Sequence, residues 1–351
     1  MLCLYQGEDT PSSRIRVLQM LPYLTNVGLA CDAAPYPRRL TQVVSVLARS
    51  GNFDLIWLQK KLLSPLDRIL WRRAKAPIVF DFDDAIFFRQ APKNGSYASP
   101  NRARRFAGVV GLASGVTCGN RYLASLLPTG TRNVFLYPSP APTDVPMRDY
   151  RQADRPFHLG WIGGGGNLAS LARIGPSLQA LAKSRAFVLR VISNREFYLP
   201  GVCIENILWS LAGQAAALAE LDAGLMPLDA DSPFDRGKCS YKLLQYMAAG
   251  VVPVGSAVGM NTEIIEDGRN GRLVWSEADW GGVLTDLMTV NMQTLSTMGL
   301  AARFTAVNGF SYDVLASGLA GFFRSLVSRG RHDQRHPQSD EHTAVGVGSR
   351  R

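Results

Sequence analysis

The stretch DSPFDRGKCSYKLLQYMAAGVVPVGS, residues 231–256, decides how this chain is read. It runs loop, helix, glycine, strand. Ser240 is placed as an N-cap, Tyr241 to Ala249 carry helical apolar spacing, Gly250 stops the helix, and Val251–Gly255 is a short apolar run of strand type. The apolar run AGLMPL (223–228) comes before it, so the unit is strand, helix, strand. In such a unit the helix N-terminus faces the carboxyl edge of a parallel sheet. Its free N–H groups and its dipole there suit an anion such as a diphosphate. Arg236 and Lys238 stand just ahead of the helix as cationic donors. Gln245, about one and a half turns in, can reach a neutral polyol. An ordinary capped helix with surface cations satisfies the same spacing.

The same alternation extends in both directions. Strands are expected at 54–59, 77–82, 115–119 and 133–137, then at 157–162, 187–192, 223–228 and 251–256. These runs are mostly continuous rather than alternating, as parallel strands covered on both faces are. Helices are expected over Ser13–Asn26, Leu168–Lys183, Gln214–Leu221 and Tyr241–Ala249. Two doubly wound α/β domains of Rossmann-like type, facing a central cleft, follow from this order. Residues 138–156 hold five prolines without helical periodicity and read as a semi-rigid linker. The expected division is therefore 1–137, linker, 157–310, a final helix 311–328, and a polar tail 329–351 expected to be disordered.

Composition narrows the function classes. The 351 residues, 46% hydrophobic and 19% charged, describe a globular protein with room for two cores. No apolar stretch approaches the roughly 18 residues that span a bilayer, and the start MLCLYQGEDTP has no signal-peptide pattern. Cys3, Cys31, Cys118, Cys203 and Cys239 are scattered without a CxxC pair, which fits a reducing cytoplasm and no structural zinc. His158 is the one histidine outside the tail, too few for a histidine-based triad or metal cage. The net charge of +10 is uneven: residues 1–150 carry 19 Lys and Arg against 10 Asp and Glu, whereas residues 151–327 carry 14 against 15. A basic half can attract nucleic acid, the inner face of a membrane or an anionic acceptor, or can be simply a solvated basic face.

SYKLLQYMAAGVVPVGS resembles the sugar-nucleotide-binding segment of glycosyltransferase family 4, the retaining transferases of GT-B fold, in its variants with K-x-x-[EQ]-Y-M-A-x-G-x-P-V. The likeness continues through SAVGMNTEIIEDGRNGRLV (256–274) and LGWIGGGGNLASL (159–171), and in the first half through PSSRIRVLQMLPYL (11–24) and IVFDFDDAIF (78–87). The blocks 238–256 and 78–87 are the specific ones. The resemblance implies a second domain that binds a nucleoside-diphosphate sugar, a first domain that holds the acceptor, and no metal or other cofactor. Gln245 falls where the family usually has a ribose-binding glutamate, and Gly237 where the first of its paired glutamates stands. The family's Arg and Lys on the loop after the first strand of that domain are replaced here by Gly163–Asn167. Arg236 and Lys238 are then the cations left to neutralise the departing diphosphate.

Donor contacts are accordingly expected from Gly163, Gly164, Gly165, Gly166, Asn167, Ser240, Tyr241, Lys242 and Gln245. Glycines without Cβ atoms let backbone amides approach a sugar or phosphate, though they also make a mobile loop. Asp81, Asp83 and Asp84 end a buried strand, the usual place for site residues. Asp83 and Asp84 are taken as acceptor-side catalytic groups, and Asp81 as the better fit to a structural partner of a basic residue. Ser12, Ser13 and Arg14 follow the first strand and open onto the acceptor, a serine capping the next helix. The expected activity is transfer of a sugar from a nucleoside-diphosphate donor to a hydroxyl acceptor, lipid-linked or anionic. A silent sugar-nucleotide-binding subunit is the alternative. Nucleic-acid binding lacks a stacking platform, and a nicotinamide enzyme lacks the glycine fingerprint.

Overall fold

The computed structural model of the chain describes residues 1–151 and 155–335. Its first sheet begins with strands β1 (Leu2–Tyr5), β2 (Asp32–Pro35), β3 (Ile56–Gln59) and β4 (Ile78–Phe82). A small antiparallel hairpin of β5 (Phe88–Lys93) and β6 (Ser96–Ala98) intervenes before β7 (Gly115–Cys118) and β8 (Val134–Leu136). The order across this all-parallel sheet is β2-β1-β3-β4-β7-β8. The second sheet holds β9 (Phe157–Ile162), β10 (Phe187–Ser193), β11 (Ile204–Leu208), β12 (Ala223–Met226), β13 (Val252–Ser256) and β14 (Arg272–Val274). It is also parallel, in the order β11-β10-β9-β12-β13-β14. The order reverses between β1 and β3 in one sheet and between β9 and β12 in the other. Crevices at the carboxyl ends of the strands lie at these two points. Two Rossmann-like domains are therefore present, as the strand-helix alternation implies.

Central strands such as β4 are buried at every position, which explains their unbroken apolar sequence. The helices depart from expectation where side chains override periodicity. In place of one helix over Ser13–Asn26 there is a turn at Pro11–Ser13, a π-turn at Arg14–Leu18 and a helix at Leu21–Asn26. Gln19 N–H donates to Arg14 O at 2.8 Å, the five-residue spacing of a π-turn. The expected helix Leu168–Lys183 breaks at Ile174, and Pro176 sits in the first turn of a new helix, Gly175–Ala182.

The last helix runs Tyr312–Arg335, past the expected end at Ser328 and into the stretch taken as disordered; positions 336–351 lie outside the described residues. It returns to the first domain, where Tyr312, Leu315, Leu319 and Phe323 pack with Met20, Leu24 and Trp57. The described part of the linker is pinned to the second domain. Arg148 ion-pairs with Asp222 at 2.8 Å, and Tyr150 Oη donates to Gly250 O at 2.6 Å.

The carboxyl edges of the two sheets meet across residues 237–239. Asn120 Nδ2 donates to Gly237 O and to Lys238 O, both at 3.1 Å, and Cys239 Sγ donates to Asp83 O at 2.9 Å. Apolar contact backs these bonds, since Ala85, Leu123, Phe234 and Cys239 share one buried cluster.

Candidate functional site

The glycine loop leaves β9 at the reversal point of the second sheet. Gly163 N–H donates to Ile192 O at 3.1 Å and Gly165 N–H to Asn194 Oδ1 at 2.7 Å, so the loop is held from the β10 side. A Cβ at Gly164 or Gly166 would meet open space, whereas one at Gly163 would press on Trp161 and Lys242. One at Gly165 would press on the aliphatic stem of Arg195. Two cations thus flank the loop. Asn167 is exposed and closes the loop's single 3-10 turn, ahead of the helix Leu168–Arg173.

The helix Tyr241–Ala248 points its N-terminus at this loop, and Ser240 takes its N-cap position without a capping side-chain bond. Ser240 is left-handed, with φ +49°, and its hydroxyl donates instead to Asn261 Oδ1 at 2.7 Å. The first turn is left without a side-chain cap, which keeps its N–H groups open to a ligand. Tyr241 and Lys242 follow, both half-buried. Lys242 Nζ lies 4.2 Å from the Trp161 ring centroid. Burial, and then the charge of Lys238, push its pKa down to about 7 against the pull of Asp235. Lys238 pairs with Asp235 at 2.7 Å. Arg236 is exposed; its Nε donates to Ala230 O at 2.8 Å and its charge falls on Tyr122 of the first domain. The cation that shares a field with Lys238 is therefore Lys242 rather than Arg236.

Gln245 is buried, and its amide donates at 3.4 Å to Gln214 Oε1, which also accepts the Trp209 indole N–H at 3.1 Å. Arg14 crosses from the first domain to lie 5.4 Å over the Trp209 ring. It thus borders the second domain's half of the cleft as well as the first's. Gly237 is sealed. A Cβ there would press on Ala85 and Leu123, so the place of the family's first glutamate has no room for a side chain.

In the first domain, Lys60 stands at the carboxyl end of β3, beside the reversal point between β1 and β3. Its backbone is left-handed, with φ +54°, an unusual conformation for a residue with a Cβ. Gln6 Nε2 donates to Lys60 O at 2.8 Å. Lys60 Nζ reaches Asp83 Oδ1 at 2.9 Å and also pairs with Asp84. Burial raises both carboxyls, but Lys60 and Arg16 outweigh it at Asp83 and hold it below the usual range. Asp84 remains raised, by burial and by the charge of Asp83, despite Lys60. Two adjacent carboxylates are thereby given different proton affinities.

Asp81 takes the structural role. Arg16 Nε and Nη2 donate to its two oxygens at 3.0 and 2.6 Å, Thr117 Oγ1 donates at 2.7 Å, and the Arg16–Asp81 pair is fully buried. Ser12 is half-buried, and Thr10, not a serine, is the N-cap of the first turn. Ser13 is buried, and its hydroxyl donates to Gln59 Oε1 at 2.8 Å, which removes it from the acceptor surface. A cavity of about 950 Å³ opens instead beside the loop Gln6–Glu8, walled by Tyr36, Arg38, Arg39 and Arg49. Lys60, Arg195 and Trp209 were missed in the sequence. Each follows a strand at its carboxyl end, and that position was the available signal.

No family profile matches the chain, and no curated protein matches it in sequence. Solved structures do match in three dimensions. Anabaena HepE in complex with UDP-glucose superposes with a TM-score of 0.68 at 13% identity, over 92% of this chain and 99% of that one. Sucrose-phosphate synthase from Thermosynechococcus elongatus gives 0.67 at 12%, over 93% and 99%. The lipopolysaccharide outer core galactosyltransferase WaaB gives 0.60 at 11%, over 92% and 98%. With two reversed parallel sheets joined edge to edge over nearly the whole length of these proteins, the chain has the GT-B fold.

Proposed function

We propose that this protein is a retaining glycosyltransferase that moves a sugar from a nucleoside-diphosphate donor to a hydroxyl acceptor. The observation that carries the reading is the convergence of Lys242 and an uncapped helix start on an open glycine loop at the sheet's reversal point, with Lys238 acting on Lys242 from just ahead of the helix. Lys238 is paired with Asp235, whereas the half-buried Lys242 has no salt bridge among the described residues, so Lys242 is the cation placed to meet an anion. The match to a fold seen with UDP-glucose in HepE supports a diphosphate as that anion.

In this reading the diphosphate lies between the glycine loop and the helix N-terminus, with Arg195 at the outer rim. Gln245 gives up its long bond to Gln214 to meet a ribose hydroxyl. The acceptor enters from the cavity beside Gln6–Glu8, and Asp84 accepts a hydrogen bond from its hydroxyl. The leaving diphosphate takes the acceptor proton on the same face of the sugar, so no histidine base is required. Asp83 and Asp84 are committed to Lys60, which favours transfer without a metal.

Charge builds on the β-phosphate as the donor bond breaks, so a cation that acts there raises kcat more than affinity. Lys238→Ala should lower kcat on the order of 10²-fold with a smaller change in donor KM. Donor hydrolysis or transfer by the purified protein is the assay. Unchanged kcat with a raised KM would reduce Lys238 to uniform binding. Donor binding without any turnover would leave only a sugar-nucleotide-binding subunit.

A further inference from the structure

The positive charge of the first half is not spread over its surface. Three helices, Leu40–Arg49, Pro65–Trp71 and Pro100–Val110, lie side by side on one face of the first sheet. With their flanking residues (38–49, 64–75 and 99–111) they carry ten Lys and Arg against a single acid, Asp67. That surplus of nine equals the whole surplus of residues 1–150, where 19 stand against 10. The rest of that half is balanced. None of the ten cations takes part in a salt bridge among the described residues, and Asp67 is occupied in the cap of its own helix at Ser64.

The same layer exposes large aliphatic side chains. Leu40 and Val44 are 56% and 52% exposed, one turn apart on the first helix. Leu66 and Ile69 are 59% and 55% exposed, three residues apart on the second. Inward positions, Val43 and Leu47 on one helix and Trp71 on the next, are buried in the core, so these four are surplus to its packing. The first two of these helices thus each show water a second apolar stripe bordered by arginine.

We infer that this face rests on an anionic lipid bilayer, with the arginines at the headgroups and Leu40, Val44, Leu66 and Ile69 entering the acyl boundary. Charge complementarity selects that partner. Two copies of the face would repel each other through nine net charges apiece. A nucleic acid would leave the aliphatic chains in contact with water and would find no exposed aromatic among these three helices to stack on. The acceptor cavity shares Arg38, Arg39 and Arg49 with this face, so its mouth opens where the bilayer would lie. The inference does not depend on the transferase reading.

The test is co-sedimentation of the full chain with vesicles of phosphatidylcholine containing about one third phosphatidylserine, against phosphatidylcholine alone. Binding is expected only to the anionic vesicles and should fall steeply between about 0.05 and 0.5 M salt. Arg72→Glu with Arg73→Glu should weaken it on the order of tenfold or more. Leu66→Gln with Ile69→Gln should weaken it at every salt concentration. Both double variants should keep the cooperative thermal unfolding of the unsubstituted chain, which shows that they are folded and keeps this result separate from the donor site. A chain that stays in the supernatant would overturn the inference. So would vesicle binding indifferent to either double variant, equal affinity for duplex DNA regardless of Leu66 and Ile69, or self-association through this face.

Discussion

Asp83 and Asp84 are neighbours in sequence with one lysine between them, and they are expected to behave differently on substitution. Asp83 is buried and supplies half of the countercharge of Lys60, with Arg16 also acting on it. Asp83→Asn leaves Lys60 undercompensated, and the expected loss is about 1–3 kcal/mol of stability in chemical denaturation. Asp84 is more accessible and holds its proton more tightly. Asp84→Asn should keep the fold and donor affinity and raise the acceptor KM on the order of tenfold, as the loss of one hydrogen bond to a charged group does. Equal effects from both variants would mean that neither faces the acceptor. Lys242 adds a pH dependence. In the free protein it loses its proton near pH 7, and a diphosphate beside it raises that pKa. Between the two values binding takes up a proton, so affinity falls as pH rises from the lower to the upper one and levels off above it.

At the scale of elements, the two first-half blocks that resemble the transferase family turn out to hold each other. The π-turn Arg14–Leu18 aims Arg16 at Asp81 at the end of β4, and Ser13 reaches Gln59 at the end of β3. Removing one member of a buried pair leaves the other charge without a partner. Arg16→Met should cost about 3–5 kcal/mol, read as a lower denaturation midpoint. A loss under about 1 kcal/mol would show that the pair is dispensable. This arrangement also shows what the sequence could and could not reveal. Buried strands such as β4 and β9 declared themselves, because burial on both faces leaves an unbroken apolar run. The edge strands β2 and β11 did not, since they are largely exposed and their composition is that of a loop. The serines and the arginine after β1 stood at a carboxyl edge and invited a site reading. Yet Ser13 points into the core and Arg14 onto Trp209, and side-chain direction after a π-turn does not follow from spacing. Ser240 looked like a cap by residue type, but its left-handed backbone turns the hydroxyl to Asn261. The positions of Lys242 and Gln245 on the helix were legible because regular helix geometry fixes which residues lie near the start.

Across the whole molecule, two reversed sheets are joined at residues 237–239, tied by the linker on one side and by the returning helix Tyr312–Arg335 on the other. The open glycine loop, Lys242 and the uncapped helix start gather on the second sheet's half of the junction, and the paired carboxylates and the arginine-walled cavity on the first. That division of labour suits a nucleoside-diphosphate donor and a separate acceptor. Calorimetric titration of the purified full chain with a panel of nucleoside diphosphates tests it most directly, at pH 8 in two buffers of different ionisation enthalpy. One member of the panel should bind with uptake of a proton, and Lys242→Met should abolish the uptake and weaken binding on the order of tenfold. Absence of binding by every nucleoside diphosphate at millimolar concentration, or binding with neither proton uptake nor sensitivity to Lys242, would contradict a donor site at the glycine loop.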